Sequence, residues 1–100
     1  MGWVRIAKTS DLAEGGAVRV DLESGSAALF KTGKDFYMID NTCPHRSGPL
    51  VEGAVENGSV TCPWHAWTFD LQTGACSTVP GVKIRTYEIK IEREDIFVKI

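Results

Sequence analysis

Tyr87-Glu88-Ile89-Lys90-Ile91-Glu92-Arg93-Glu94-Asp95-Ile96-Phe97-Val98-Lys99-Ile100 decides the fold class. Tyr87, Ile89 and Ile91 alternate with Glu88, Lys90 and Glu92. Ile96, Val98 and Ile100 resume the same period of two after the polar Arg93-Glu94-Asp95. A side chain changes face at every residue of a strand, so this stretch reads as a β-hairpin with one apolar face. Val82 and Ile84 fall on the opposite parity from Tyr87, which places a bend or bulge near Arg85-Thr86. The same period recurs further back, in Val18, Val20 and Leu22 around Arg19 and Asp21. Ala27 to Lys31 and Phe36 to Asp40 are two more strand segments, joined by the hairpin turn Thr32-Gly33-Lys34-Asp35. Trp3 to Ala7 makes a first strand. Ser10-Asp11-Leu12 follows as a turn or a single helical turn capped by Ser10 or Asp11. Val60-Thr61 and Trp67-Thr68-Phe69 are short strand pieces, and Leu71-Gln72-Thr73-Gly74 is a turn. No segment keeps a helical period over three turns. The reading is one all-β domain of eight to ten short strands, an antiparallel β-sandwich or small barrel.

Composition narrows the class of partner. The chain has 100 residues, 43% of them hydrophobic and 24% charged, which suits one folded domain and argues against disorder. A net charge of −2 gives no basic face for nucleic acid. The longest apolar run is Ala27-Ala28-Leu29-Phe30, whereas a membrane-spanning helix takes about 20 apolar residues. The N-terminus lacks the basic and apolar regions of a secretory signal. Three cysteines, an odd number, argue against a disulfide framework and for a reducing compartment, so a cytoplasmic location is expected.

The chemistry lies in two clusters. Both histidines stand beside cysteines, in Cys43-Pro44-His45 and in Cys62-Pro63-Trp64-His65. Written out, the pattern is C-x-H, sixteen residues, then C-x-x-H. Each cluster offers one thiolate and one imidazole at a turn restrained by proline. Two soft thiolates and two imidazoles suit iron or zinc and do not suit magnesium or calcium. A tetrahedral Cys2His2 zinc site is the rival reading, but it usually pairs cysteine with cysteine and histidine with histidine. Here every pair is mixed.

With these spacings the chain resembles the Rieske iron–sulfur family, whose 2Fe–2S cluster is held by two cysteines and two histidines. Asp40-Asn41-Thr42-Cys43-Pro44-His45-Arg46-Ser47-Gly48-Pro49-Leu50 is similar to the family's first cluster loop. Cys62-Pro63-Trp64-His65-Ala66-Trp67-Thr68-Phe69-Asp70 is similar to the second. The resemblance covers the whole chain, and residues 40–74 carry most of it. It implies the Rieske fold: a β-sandwich base with a small cluster-binding part of two loops at about residues 41–75, in a single domain over residues 1–100. It implies that Cys43 and Cys62 bind one iron, and that His45 and His65 bind the other through a ring nitrogen. Neutral imidazoles lower the charge of the cluster and raise its potential.

Some positions depart from the family pattern. Ala66 stands where glycine is common. The respiratory and photosynthetic members carry an extra cysteine in each loop. Here those places fall near Leu50 and at Trp64, which favours the ferredoxin branch. Cys76 reads as a buried, small apolar residue. Trp64 and Trp67 are expected to pack between the loops and the β base, a docking role near the cluster being the other reading. Val79-Pro80-Gly81 resembles the loop that shields one side of the cluster, and a plain turn is the other reading. Arg46 is either a partner-facing or a solvated charge. High-potential relatives carry hydroxyls where Trp67 and Phe69 stand, so a potential below about 0 mV is expected, within a family range of roughly −150 to +300 mV.

Both histidines are used by this ligand set, so no 2-His-1-carboxylate iron site can be built, and no G-x-G-x-x-G fingerprint is present. The expected function is therefore that of a one-electron carrier with no catalytic site of its own. As a monomer it would take electrons from a reductase and pass them to a terminal oxygenase. The alternative from the same resemblance is the small subunit of an NAD(P)H-dependent nitrite reductase.

Overall fold

A computed structural model describes residues 2–23, 25–33, 35–43, 48–64 and 67–99. Among them lie ten strands and two single turns of 3-10 helix, with no α-helix. In chain order the strands are β1 (Trp3–Lys8), β2 (Ala17–Leu22), β3 (Gly25–Thr32), β4 (Asp35–Asp40), β5 (Ala54–Glu56), β6 (Ser59–Thr61), β7 (Thr68–Asp70), β8 (Thr86–Tyr87), β9 (Ile89–Glu92) and β10 (Asp95–Lys99). They pair antiparallel in three sheets, ordered β1-β10-β9, β2-β3-β4-β8 and β5-β6-β7. No helix among the described residues is long and apolar enough to cross a membrane.

The four-stranded sheet is the middle layer, and the apolar run Ala27-Ala28-Leu29-Phe30 on β3 shows why. All four residues are fully buried. Ala27 and Leu29, with Met38 of β4, face a core shared with Ala7, Val20, Ile96 and Val98. Ala28 and Phe30, with Ile39, face the opposite way, into a core shared with Cys43, Leu50, Val60, Cys62 and Phe69. A strand covered on both faces reads as a continuous apolar run, because neither parity meets water. The region expected to bind the cluster, about residues 41–75, contains a small sheet, β5-β6-β7, as well as loops.

The C-terminal alternation serves two sheets. Tyr87 pairs with Met38 in the middle layer, and Ile89 pairs with Val98 in the outer one. The chain changes sheets at Glu88. The expected bend before it is present: Ile84 is buried in one core and Tyr87, three residues on, in the other. The apolar face of the final hairpin ends sooner than its sequence period. Ile91 is 44% exposed although its cross-strand partner Ile96 is fully buried, because β9 is an edge strand of its sheet. The cap expected at Ser10 or Asp11 is corrected as well. The 3-10 turn Thr9–Asp11 starts from Lys8, and the Asp11 carboxylate reaches back to accept the Lys8 N–H at 2.9 Å.

Strand β5 had no period to betray it, since three residues are too few. The Asn57-Gly58 pair that joins it to β6 was the available signal. Both residues adopt positive φ, 52° and 77°, as a tight two-residue hairpin turn needs.

Candidate metal centre

Both cysteine loops leave the sheets through the same kind of neck. In the first, Thr42 bridges Pro49, and the Cys43 N–H donates to the Gly48 carbonyl at 3.0 Å. In the second, Thr61 pairs with Thr68, and the Cys62 N–H donates to the Trp67 carbonyl at 2.7 Å. Each cysteine thus follows a paired threonine and opens a loop that closes on itself. Asn41, a buried polar residue, fastens the first neck. Its N–H donates to the Ser26 carbonyl, its own carbonyl accepts the Leu50 N–H, and its Oδ1 accepts the Val51 N–H at 2.7 Å. Leu50 begins the 3-10 turn Leu50–Glu52, and its side chain is fully buried. At the second neck the Thr61 and Thr68 hydroxyls are hydrogen-bonded at 3.1 Å. The role of Asn41 was missed from the sequence, where an asparagine one residue before a Thr-Cys pair was the only signal.

The thiols of Cys43 and Cys62 are both buried, in the same core. The two loops meet at Gly48. A Cβ at that position would stand 2.6 Å from Cys62 Sγ and 3.2 Å from Trp64 Cγ. Backbone of the first loop therefore lies against the sulfur of the second, and the absence of a side chain permits it. His45 and His65, like Pro44, Arg46, Ser47 and Ala66, lie outside the described residues. Among the described residues no three metal-binding side chains gather. The donor set nevertheless fits a thiolate-loving metal group: two cysteines from two loops, buried in one core, with a histidine two residues after one and three after the other.

The surroundings refine the sequence reading. Trp67 packs against the core that holds the two thiols, as expected, while Trp64 is 62% exposed. The expectation that both tryptophans pack inward is therefore corrected for Trp64, whose indole lies against Gly48 with much of its surface in water. Cys76 is buried, and its Sγ accepts the Val79 N–H at 3.3 Å. This agrees with a structural thiol. Val79 and Val82 pack on the same core, so the Val79-Pro80-Gly81 segment is anchored to the core that also holds Cys43 and Cys62. Phe69 is fully buried opposite Val60 and bridges Cys76.

Residues 2–88 match the family of the Rieske 2Fe-2S domain. Apoptosis-inducing factor 3 of Homo sapiens is 34% identical over 95 residues, covering 94% of this chain and 16% of that protein. The ferredoxin component of the naphthalene 1,2-dioxygenase system of Pseudomonas putida is 31% identical over 99 residues, covering 98% of this chain and 95% of that one. A chain from the complex of reduced oxygenase and oxidized ferredoxin in carbazole 1,9a-dioxygenase superposes with a TM-score of 0.88. It is 26% identical, over 96% of this chain and 91% of that one. The chain thus spans a small part of the first relative and nearly the whole of the other two.

Proposed function

This chain belongs to the Rieske 2Fe-2S domain family, and from that premise we propose that it carries single electrons to a terminal oxygenase. The observation that carries the reading is its end-to-end likeness to a dioxygenase ferredoxin component, over 98% of this chain and 95% of that one. The nitrite reductase alternative is not favoured by these relatives. We assign Cys43 and Cys62 to one iron, and His45 and His65 to the other. Two cysteines buried in one core, with first-loop backbone at Gly48 lying against the Cys62 sulfur, support the cysteine half of that set. When bound, the cluster supplies a one-electron redox couple at a potential raised by its imidazole ligands. The protein's part is to hold the sulfurs in a dry core and to keep both loops in register.

We read residues 1–100 as a single domain, with the cluster-binding part at about 41–75. Strand β3 supports this, since its two faces belong to the two cores. A flavin-dependent reductase is the proposed electron donor, and the carrier is proposed to act as a monomer without catalysis of its own. The odd cysteine count suits a reducing compartment, and we place the protein in the cytoplasm. Buried Phe69 brings no hydroxyl to the thiols, which supports a potential at the low end of the family range, below about 0 mV.

Metal analysis tests the assignment. Protein purified without oxygen should hold two irons and two acid-labile sulfides per chain. Replacing Cys43 or Cys62 by Ser, or His45 or His65 by Ala, should abolish the visible spectrum, whereas Cys76→Ser should keep it. One zinc per chain with no sulfide would overturn the reading. Stable co-purification with a large catalytic subunit would instead return it to the nitrite reductase alternative.

A further inference from the structure

Among the described residues, Trp64 is the large apolar side chain that stays open to water at the cysteine end of the molecule, 62% exposed. The other exposed large apolar residues among those described, Trp3, Val4 and Ile91, sit on β1 and β9, in the sheet that packs on the opposite core. Indoles usually bury most of their surface, so one held outward calls for a reason. The packing at Gly48 supplies it. A single point, where a Cβ on Gly48 would stand, lies 2.6 Å from Cys62 Sγ and 3.2 and 3.3 Å from Trp64 Cγ and Cδ2. The indole therefore rests on first-loop backbone beside the sulfur of the second loop, with its remaining surface toward solvent. Pro63 restrains the backbone between Cys62 and Trp64.

We propose that Trp64 is a positioning residue that closes the path of water to Cys62 Sγ and so sets how wet the sulfur side of the cluster is. The inference rests on the proposed function, because it concerns the cluster those thiols would hold. The reduced form of such a centre carries one more negative charge than the oxidised form. Water near a ligand sulfur stabilises that added charge, and an apolar cover withholds the water. Trp64 thus lowers the potential, and Gly48 is the partner that lets the ring come close enough to do so. A larger residue at 48 would push the ring off the sulfur it covers.

The test is a graded series of purified holoproteins, Trp64→Phe, Trp64→Leu and Trp64→Ala, with the midpoint potential read by titration. Iron and sulfide per chain should stay at the wild-type value throughout, since the side chain is mostly exposed. The potential should shift upward as the cover shrinks, least for Phe and most for Ala. If Ala alone sheds the cluster, the Phe and Leu variants decide by the same criterion. A flat series, or a downward shift, overturns the proposal. Loss of the cluster across the whole series also overturns it, because Trp64 would then be part of the fold. A wild-type chain without iron and sulfide would instead overturn the proposed function, before any variant is compared.

Discussion

Loop 43–48 and loop 62–67 begin alike and are fastened by different means. Each opens on a cysteine after a paired threonine, and in each the cysteine N–H closes on a carbonyl five residues later. Behind the second neck stands a regular ladder, in which Thr61, Val60 and Ser59 pair with Thr68, Phe69 and Asp70. Behind the first stands one isolated bridge, Thr42 to Pro49, and the hydrogen bonds of a single asparagine. Proline explains the difference. Pro49 has no N–H to give a ladder, so the return limb of the first loop passes into a 3-10 turn and its next two N–H groups are taken up by Asn41. The second loop is therefore backed by a main-chain ladder, whereas the first adds one side-chain bond, from the Val51 N–H to Asn41 Oδ1, to a few isolated main-chain ones. A side-chain clamp concentrates in one residue what a ladder spreads over several.

The largest effect is expected where the loops touch. Gly48→Ala would set a methyl 2.6 Å from Cys62 Sγ, a separation that real Cβ atoms do not adopt. Gly48 has no positive φ, so the conflict is one of space. Overpacking of this kind costs about 1–3 kcal/mol, and the sulfur and the indole are the groups that must move. The expected outcome is low cluster occupancy and a lower denaturation midpoint. Gly58→Ala is the contrast: nothing stands within 4 Å of its Cβ, and its φ of 77° is the only obstacle. It should cost about 1–2 kcal/mol and leave the visible spectrum intact. Equal iron contents in wild type and Gly48→Ala would mean that the loops do not constrain each other at this point.

Asn41→Ala comes next. It strands the half-buried N–H of Val51, for a cost of about 1 kcal/mol. Amide exchange should quicken at Cys43 and Leu50 and stay unchanged at Cys62. Equal quickening in both loops would erase the distinction between clamp and ladder.

These residues also mark how far the sequence could be read. The period of two in β2 and in the final hairpin was legible because one face of each meets water. The run Ala27–Phe30 was legible as strand but silent about its two cores, since burial on both faces erases the period. The two Cys–His clusters were visible as spacing alone, and the structure describes Cys43 and Cys62 of them, both buried in one core. The clamp at Asn41 did not, because its partner Val51 lies ten residues away and joins it only after the loop has closed. The contact of Gly48 with Cys62 is of the same kind: local composition says that glycine can approach closely and does not say what it approaches. Trp64 shows the opposite failure. Its size argued for burial, yet its place on the backbone of another loop leaves it in water.

The smallest effect should belong to the second neck. The Thr61 and Thr68 hydroxyls meet at 3.1 Å across a pair of strands, and both residues are only half-buried. Thr68→Val removes that hydrogen bond, keeps the branched shape and retains a residue well suited to strands. Cross-strand threonine pairs contribute roughly 0.2–1 kcal/mol. The Thr61 hydroxyl left behind can turn to water, so no buried group is orphaned. The backbone holds on Thr68 remain, since its N–H still donates to the Thr78 hydroxyl and its carbonyl still accepts the Ser77 N–H. The variant should therefore keep its full visible spectrum and lose less stability than Asn41→Ala in a urea titration. Exchange at the Cys62 amide should change less than exchange at Cys43 does in Asn41→Ala. A loss as large as that of Asn41→Ala would show that the hydroxyl pair, and not the ladder behind it, holds the second neck, and the two loops would then be fastened by the same means.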